Sequence, residues 1–135
     1  MGTNPGQTSP YTTGQTVDAN LTVSGISRGS GVNGNNANNR YNANNWTETS
    51  LANAIAANDY FEWTLAPNAG YEIDFVSFVY TGQASGTGPT NFAFRSSVDG
   101  FASNIGAPTA TGATINLSGA AYQDITSAIT FRLYG

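Results

Sequence analysis

The stretch that decides the fold runs from Tyr60 to Tyr80, YFEWTLAPNAGYEIDFVSFVY. Large apolar residues alternate with polar ones on both sides of Pro67-Asn68-Ala69-Gly70, the pattern of two half-buried strands around a turn. A three-residue loop, Asn68-Ala69-Gly70, puts glycine at the left-handed position that such hairpins need. It pairs Pro67 with Tyr71, Leu65 with Ile73, Trp63 with Phe75 and Phe61 with Ser77. Each large apolar residue of Tyr60 to Ala66 then meets an apolar or small partner. A four-residue loop sets Trp63 against Asp74 and Glu62 against Phe75 instead. A one-residue slip inverts the faces, so the pattern selects the shorter loop. The opposite face then carries Glu62, Thr64, Glu72 and Asp74 near the turn, and Tyr60, Val76, Phe78 and Tyr80 farther along. That aromatic half reads either as strand buried between two layers, or as an exposed platform for a sugar ring or a second subunit.

Outward from this segment, short alternating runs recur between turn signals. Val17 to Ile26 sets Val17, Ala19, Leu21 and Val23 on one face. Asn91 to Ser97 points Phe92 and Phe94 inward and Arg95 outward, and Val98-Asp99-Gly100 closes a tight turn in which Asp99 accepts from following amides. Phe101 and Ile105 anchor the next segment, Thr114 to Leu117 is a short strand, and Thr126 to Tyr134 sets Ile129, Phe131 and Leu133 on one face. Only Ser50 to Ala57, SLANAIAA, suggests a helical turn or two, with Ser50 as its cap. Between them lies GVNGNNANNRYNANNW, residues 31–46, whose Asn33-Gly34 pair favours a turn with positive φ. It reads as a solvated loop, or as a ligand loop, because Arg40, Tyr41 and Trp46 are unusual in an inert linker. The whole pattern predicts an all-β sandwich or barrel, with a polar segment at 1–16 and one domain at 17–135.

Composition removes much chemistry. The chain has 135 residues and a net charge of −4, from eight acids against four bases, and only 9% of its residues are charged. It has no cysteine or histidine, and all four bases are arginine (Arg28, Arg40, Arg95, Arg132). Cys/His zinc sites, Ser-His-Asp triads, thiol nucleophiles, disulfides and Schiff-base lysines are therefore excluded. An acidic chain with scattered arginines carries no nucleic-acid footprint. Glu62, Glu72 and Asp74 form the only local acidic cluster, but they fall on an outward face with no apolar pocket to raise a pKa. That speaks against glycoside hydrolysis. These oxygens, or those of Asp99 and Asp124, leave room for a structural calcium ion, although no spaced acidic loop is present. No apolar run approaches the roughly 18 residues that span a bilayer, so no membrane insertion is expected. The polar start, MGTNPGQTSPYTTGQT, is neither signal peptide nor anchor, and the Asn/Thr/Gly/Ser-rich composition reads as an exported segment that has lost its signal.

GTGPTNFAFRSSVDGFASNIG (86–106), ITFRLYG (129–135) and SRGSGV (27–32) resemble a β-rich module of secreted bacterial surface proteins, often found ahead of Pro-Glu-Pro or type IX sorting signals. The resemblance spans Leu21 to Gly135, including Asp59-Tyr60-Phe61 and Pro67 to Tyr71. It implies an antiparallel jelly-roll-like β-sandwich of about eight strands, and an extracellular or cell-surface setting, but no particular activity. Ser97-Val98-Asp99-Gly100 also resembles a strand–turn element of discoidin-type carbohydrate-binding sandwiches. Members of the module continue beyond FRLYG into another strand. Its absence here means that the domain is trimmed, that the fold closes differently, or that the strand comes from another molecule; an absent strand leaves an open edge beside Thr126 to Tyr134. Two functions follow as expectations, neither of them enzymatic and neither needing a cofactor. One is binding of a polysaccharide or cell-surface glycan, with Arg40, Tyr41, Trp46, Tyr60 and Tyr80 as the contact residues. The other is assembly of identical subunits into a filament through an open sheet edge.

Overall fold

A computed structural model describes residues 5–47 and 50–135. The chain is mostly β-strand, in several antiparallel sheets, with one short helix. Among the described residues nine strands form: β1 (Leu21–Val23), β2 (Ser27–Arg28), β3 (Asn33–Gly34), β4 (Ala43–Asn44), β5 (Tyr60–Pro67), β6 (Ser77–Thr81), β7 (Ala93–Ser96), β8 (Gly112–Asn116) and β9 (Ile129–Tyr134). The central sheet runs β1-β5-β9-β7, and β2 pairs with β5. β6 pairs with β8, and β3 with β4.

The Tyr60–Tyr80 segment does not form the expected hairpin. The turn is there, with the Tyr71 amide donating to the Asn68 carbonyl over 3.0 Å and Gly70 at φ 88°. Beyond it the chain leaves β5. Ile73 bridges Ile125, the Phe75 amide donates to the Tyr122 carbonyl, and β6 pairs with β8, not with β5. β5 pairs instead with β1 and β2 on one side and with β9 on the other. Its alternation is as expected, since Trp63 and Leu65 pack into the core. In the 71–80 run Ile73 and Phe75 face the core as expected, but the alternation then shifts: Phe78 turns inward beside Trp63 and Phe94, whereas Val79 is 65% exposed.

A stack of rings joins β6 to the central sheet. Trp63 lies 4.7 Å from Phe78, Phe78 lies 4.9 Å from Phe94, and Phe94 lies 5.3 Å from Phe131, the last two pairs nearly parallel. Phe75 meets Phe131 edge-on at 5.4 Å. Ile115, Leu117 and Ile129 fill the remaining core. Each such aromatic pair adds ~0.5–1.5 kcal/mol beyond area burial, so this column fixes how β6 and β8 sit on the central sheet.

Other expectations divide. The run from Val17 to Ile26 yields strand only at β1, and Val17 and Ala19 are exposed. Gly25, at φ 82°, breaks the ladder between β1 and β2, while Tyr11 and Ile26 form an isolated bridge. Pro5, Gly6 and Tyr11 are buried, so the 1–16 segment packs onto the domain from Pro5 onward. Asn33-Gly34 is strand β3, not a turn. Glycine is needed there because the Gly6 carbonyl lies where a Cβ would stand. The helix forms at Leu51–Ala57, with Ser50 Oγ accepting from the Asn53 amide. The expected open edge beside the last strand does not exist: β9 is paired on both sides, by β5 and β7. Among the described residues, no helix is long and apolar enough to cross a membrane.

Candidate functional site

The aromatic residues nominated from sequence are held inside the protein's own contacts. Tyr41 is only 8% exposed. Its ring lies 3.8 Å under the Arg28 guanidinium and edge-on to Phe61, and its hydroxyl accepts from Arg28 Nη1. Burial lowers the Arg28 pKa, against the pull of Tyr41. Trp46 donates its indole N–H to the Ala43 carbonyl over 3.0 Å and stands perpendicular to Phe61. Tyr80 stacks on Phe78, donates its hydroxyl to the Thr109 carbonyl over 2.6 Å and accepts the Thr109 amide. Burial raises the Tyr80 phenol pKa, and the Thr109 bond works against that rise. Arg40 is exposed and donates to Gln83 Oε1 over 2.6 Å.

Tyr60 belongs to a cluster on the polar face of the central sheet. The register sets Tyr60 opposite Tyr134, Glu62 opposite Arg132 and Arg95 opposite Arg132. Arg132 donates to Glu62 Oε2 over 2.7 Å and lies 4.3 Å from the Tyr60 ring and 3.9 Å from the Phe101 ring. Arg132 is partly desolvated, which alone lowers its pKa, but its bonds to Tyr134 and Glu62 raise the net value. Burial raises the Tyr60 phenol pKa, and the Arg132 charge opposes the rise. Arg95 donates to Asn104 Oδ1 and to the Phe101 carbonyl. The cluster satisfies itself.

The acids expected near one another are also separated in role. Glu62 holds Arg132, Asp74 Oδ1 accepts the Asp124 amide, and Glu72 faces the surface. No group of three acidic side chains converges on a metal-sized site among the described residues. Asp59 is fully buried: Oδ2 accepts the Thr47 amide, while Oδ1 lies unbonded against Gly31, where a Cβ would collide with it.

Sequence reasoning missed Tyr71. Its ring is 51% exposed, the most open of the chain's described aromatic rings. It stands in an open cleft of about 620 Å³, lined by Pro67 to Glu72 and Thr126. The local sequence builds this cleft. Pro67 ends β5, Gly70 adopts the left-handed turn, and the Ile73–Ile125 bridge brings Thr126 alongside. Asn68 is locked from behind, donating to the Ala19 carbonyl and accepting from Thr22 Oγ1, while its amide donates to the Asn20 carbonyl. The turn is therefore clamped, and its outer side presents the Tyr71 ring, the Glu72 carboxylate and the Thr126 hydroxyl to solvent. A ring with a free face beside a carboxylate and a hydroxyl can stack a sugar's C–H surface and bond its hydroxyls. The signal for it was present in the sequence as an aromatic residue directly after the turn glycine and before an acid. No family model matches the chain, and no curated protein or solved structure matches it.

Proposed function

We propose that this chain is a non-catalytic, extracellular saccharide-binding module whose ligand lies in the Tyr71 cleft. The observation that carries the reading is an unstacked, half-exposed tyrosine on a clamped turn within a cleft of about 620 Å³. Ligand pockets of ~300–1,000 Å³ with a few convergent polar groups are the usual size for a small-molecule site. Glu72 and Thr126 supply such groups, and rigid support from Asn68 lowers the ordering cost of binding. A single carboxylate at the cleft suits holding a sugar better than cleaving one, since glycoside hydrolysis uses two. The low-charge, Asn/Thr/Gly-rich sequence and the resemblance to surface modules support the extracellular setting. They also support reading the layers as a jelly-roll-like sandwich, in keeping with the β6–β8 pair packed across the central sheet.

The test is retention on a panel of insoluble polysaccharides, followed by titration with soluble fragments of whichever is retained. Tyr71→Ala is expected to weaken binding about tenfold, the equivalent of ~1.4 kcal/mol, with thermal stability unchanged. Tyr60→Phe and Tyr80→Phe leave affinity unchanged. Retention that survives Tyr71→Ala intact, or no retention on any polysaccharide, overturns the reading.

A further inference from the structure

One layer of the molecule differs from the rest in charge. None of the eight acids and four arginines lies between Phe75 and Phe94 or between Gly100 and Gln123. Those segments contain β6 and β8. The same layer carries the two most exposed large apolar residues described, Val76 at 75% and Val79 at 65%.

The backbone of β6 is satisfied on one side only. Flanking bonds run from the Leu117 amide to the Val76 carbonyl and from the Gly82 amide to the Thr111 carbonyl. With the register Phe78 to Ile115 and Tyr80 to Ala113, the even-numbered residues of β6 therefore face β8. Ser77, Val79 and Thr81 turn their N–H and C=O groups outward, where, among the described residues, no other strand pairs with β6. Proteins guard such edges with charge, proline or a bulge, because a bare edge is a template for another strand. β6 has no charge and no proline.

The edge also complements itself. Ser77-Phe78-Val79-Tyr80-Thr81 reads the same in chemical class from either end: hydroxyl, aromatic, valine, aromatic, hydroxyl. We propose that β6 pairs antiparallel with β6 of a second copy about a two-fold axis at Val79, joining two β6–β8 pairs into one four-stranded sheet. Val79 then faces its own copy, and Ser77 faces Thr81 on each side of the axis. These three pairs involve the residues with outward backbone groups, so each exchanges two N–H···O bonds, six in all. Phe78 falls opposite Tyr80, an aromatic cross-strand pair, and the hydroxyl pairs add side-chain bonds. A second copy is the occupant the charge pattern favours. Two chains of net charge −4 repel through charged faces, whereas this junction brings no charge together. The edge is separate from the Tyr71 cleft, so either assignment can fail without the other.

The test is sedimentation equilibrium of the whole chain across a wide concentration range, with three variants. Wild type is expected to approach twice 14.0 kDa. Val79→Lys, which sets two like charges across the axis at a solvent-exposed position, returns the mass to 14.0 kDa without lowering the melting temperature. The chain has no cysteine, so a single introduced thiol reports only contacts between copies. Val79→Cys cross-links on mild oxidation, because facing residues of this type stand ~5.5 Å apart at Cα, within disulfide range. Val98→Cys, also solvent-exposed, does not cross-link. A wild-type chain that stays at 14.0 kDa, growth beyond a dimer, a Val79→Lys dimer, or equal cross-linking of the two cysteine variants each overturns the proposal.

Discussion

Phe131 and Arg132 are neighbours on β9 and stand on opposite faces of the central sheet. Behind Phe131 lies a continuous apolar column, Trp63, Phe78 and Phe94, contributed by three consecutive strands, β5, β6 and β7. Around Arg132 the contacts are pairwise: Glu62 by charge, Tyr60 and Phe101 by ring face, Tyr134 by its hydroxyl, while the like-charged Arg95 opposite it is held by Asn104 and the Phe101 carbonyl. Farther along, Thr64 and Thr130 share a 2.7 Å hydroxyl bond. One face is held by volume and the other by pairing. The groups left unmatched lie away from both faces, at the 67–72 turn and along the outer edge of the β6–β8 pair.

The comparison makes a quantitative demand. Phe131→Ala empties the centre of the ring column and should cost about 3–5 kcal/mol, read from the midpoint of urea unfolding. Arg132→Gln, one residue along, keeps a polar side chain but removes two ring contacts and the ion pair. Exposed cation–π contacts contribute ~0.5–1 kcal/mol each and exposed ion pairs ~0.2–1 kcal/mol. A loss of about 1–3 kcal/mol is expected for Arg132→Gln, part of it screened by added salt. If the two substitutions cost the same, the polar face is a second core and the contrast between the faces is false.

How much of this was legible depended on the range of the interactions. Local signals read well. Ser50 caps its helix, Asp99 accepts the two amides that follow its turn, and the alternation of Tyr60 to Pro67 sorts Trp63 and Leu65 inward. Partners did not read. Asn68 to Gly70 does turn the chain, but a period of two names a face, not the strand across from it. Ile73 fits against Leu65 by pattern and against Ile125 in space, and only the second pairing lets Phe75 and Phe78 reach Phe131 and Phe94. The same error hid Tyr71, because the hairpin reading buried it against Pro67. Tyr41, Trp46, Tyr60 and Tyr80 were nominated for their ring chemistry, yet in a chain with 9% charged residues rings also do much of the packing. Arg28 over Tyr41 and Arg132 over Tyr60 show that the few arginines, too, were matched internally.

The smallest expected effect lies at the end of the polar face. Phe101 covers Arg132 from a left-handed backbone, φ 63°, a conformation that costs a bulky residue ~1–3 kcal/mol unless its surroundings hold it. The hold includes the Phe101 amide on the Ser96 carbonyl and Asp99, whose carboxylate accepts the amides of Ala102 and Ser103. The Ser103 hydroxyl first, then those amides, keep the Asp99 carboxyl below its ordinary value of 3.8. The folded state thus prefers the ionised form. Its contribution is complete above the unfolded carboxylate value and is lost as pH falls through the lower folded one. Asp99→Asn retains one acceptor oxygen and loses the charge, so its melting temperature should fall slightly below wild type at pH 7. The gap should stay constant down to about pH 5 and close in stronger acid, as wild-type Asp99 itself becomes protonated. Thermal scans of both proteins from pH 7 to pH 2 measure it. A gap that persists unchanged at pH 2 would mean that the turn holds Phe101 over Arg132 by shape alone, and that the Asp99 charge contributes nothing to this face.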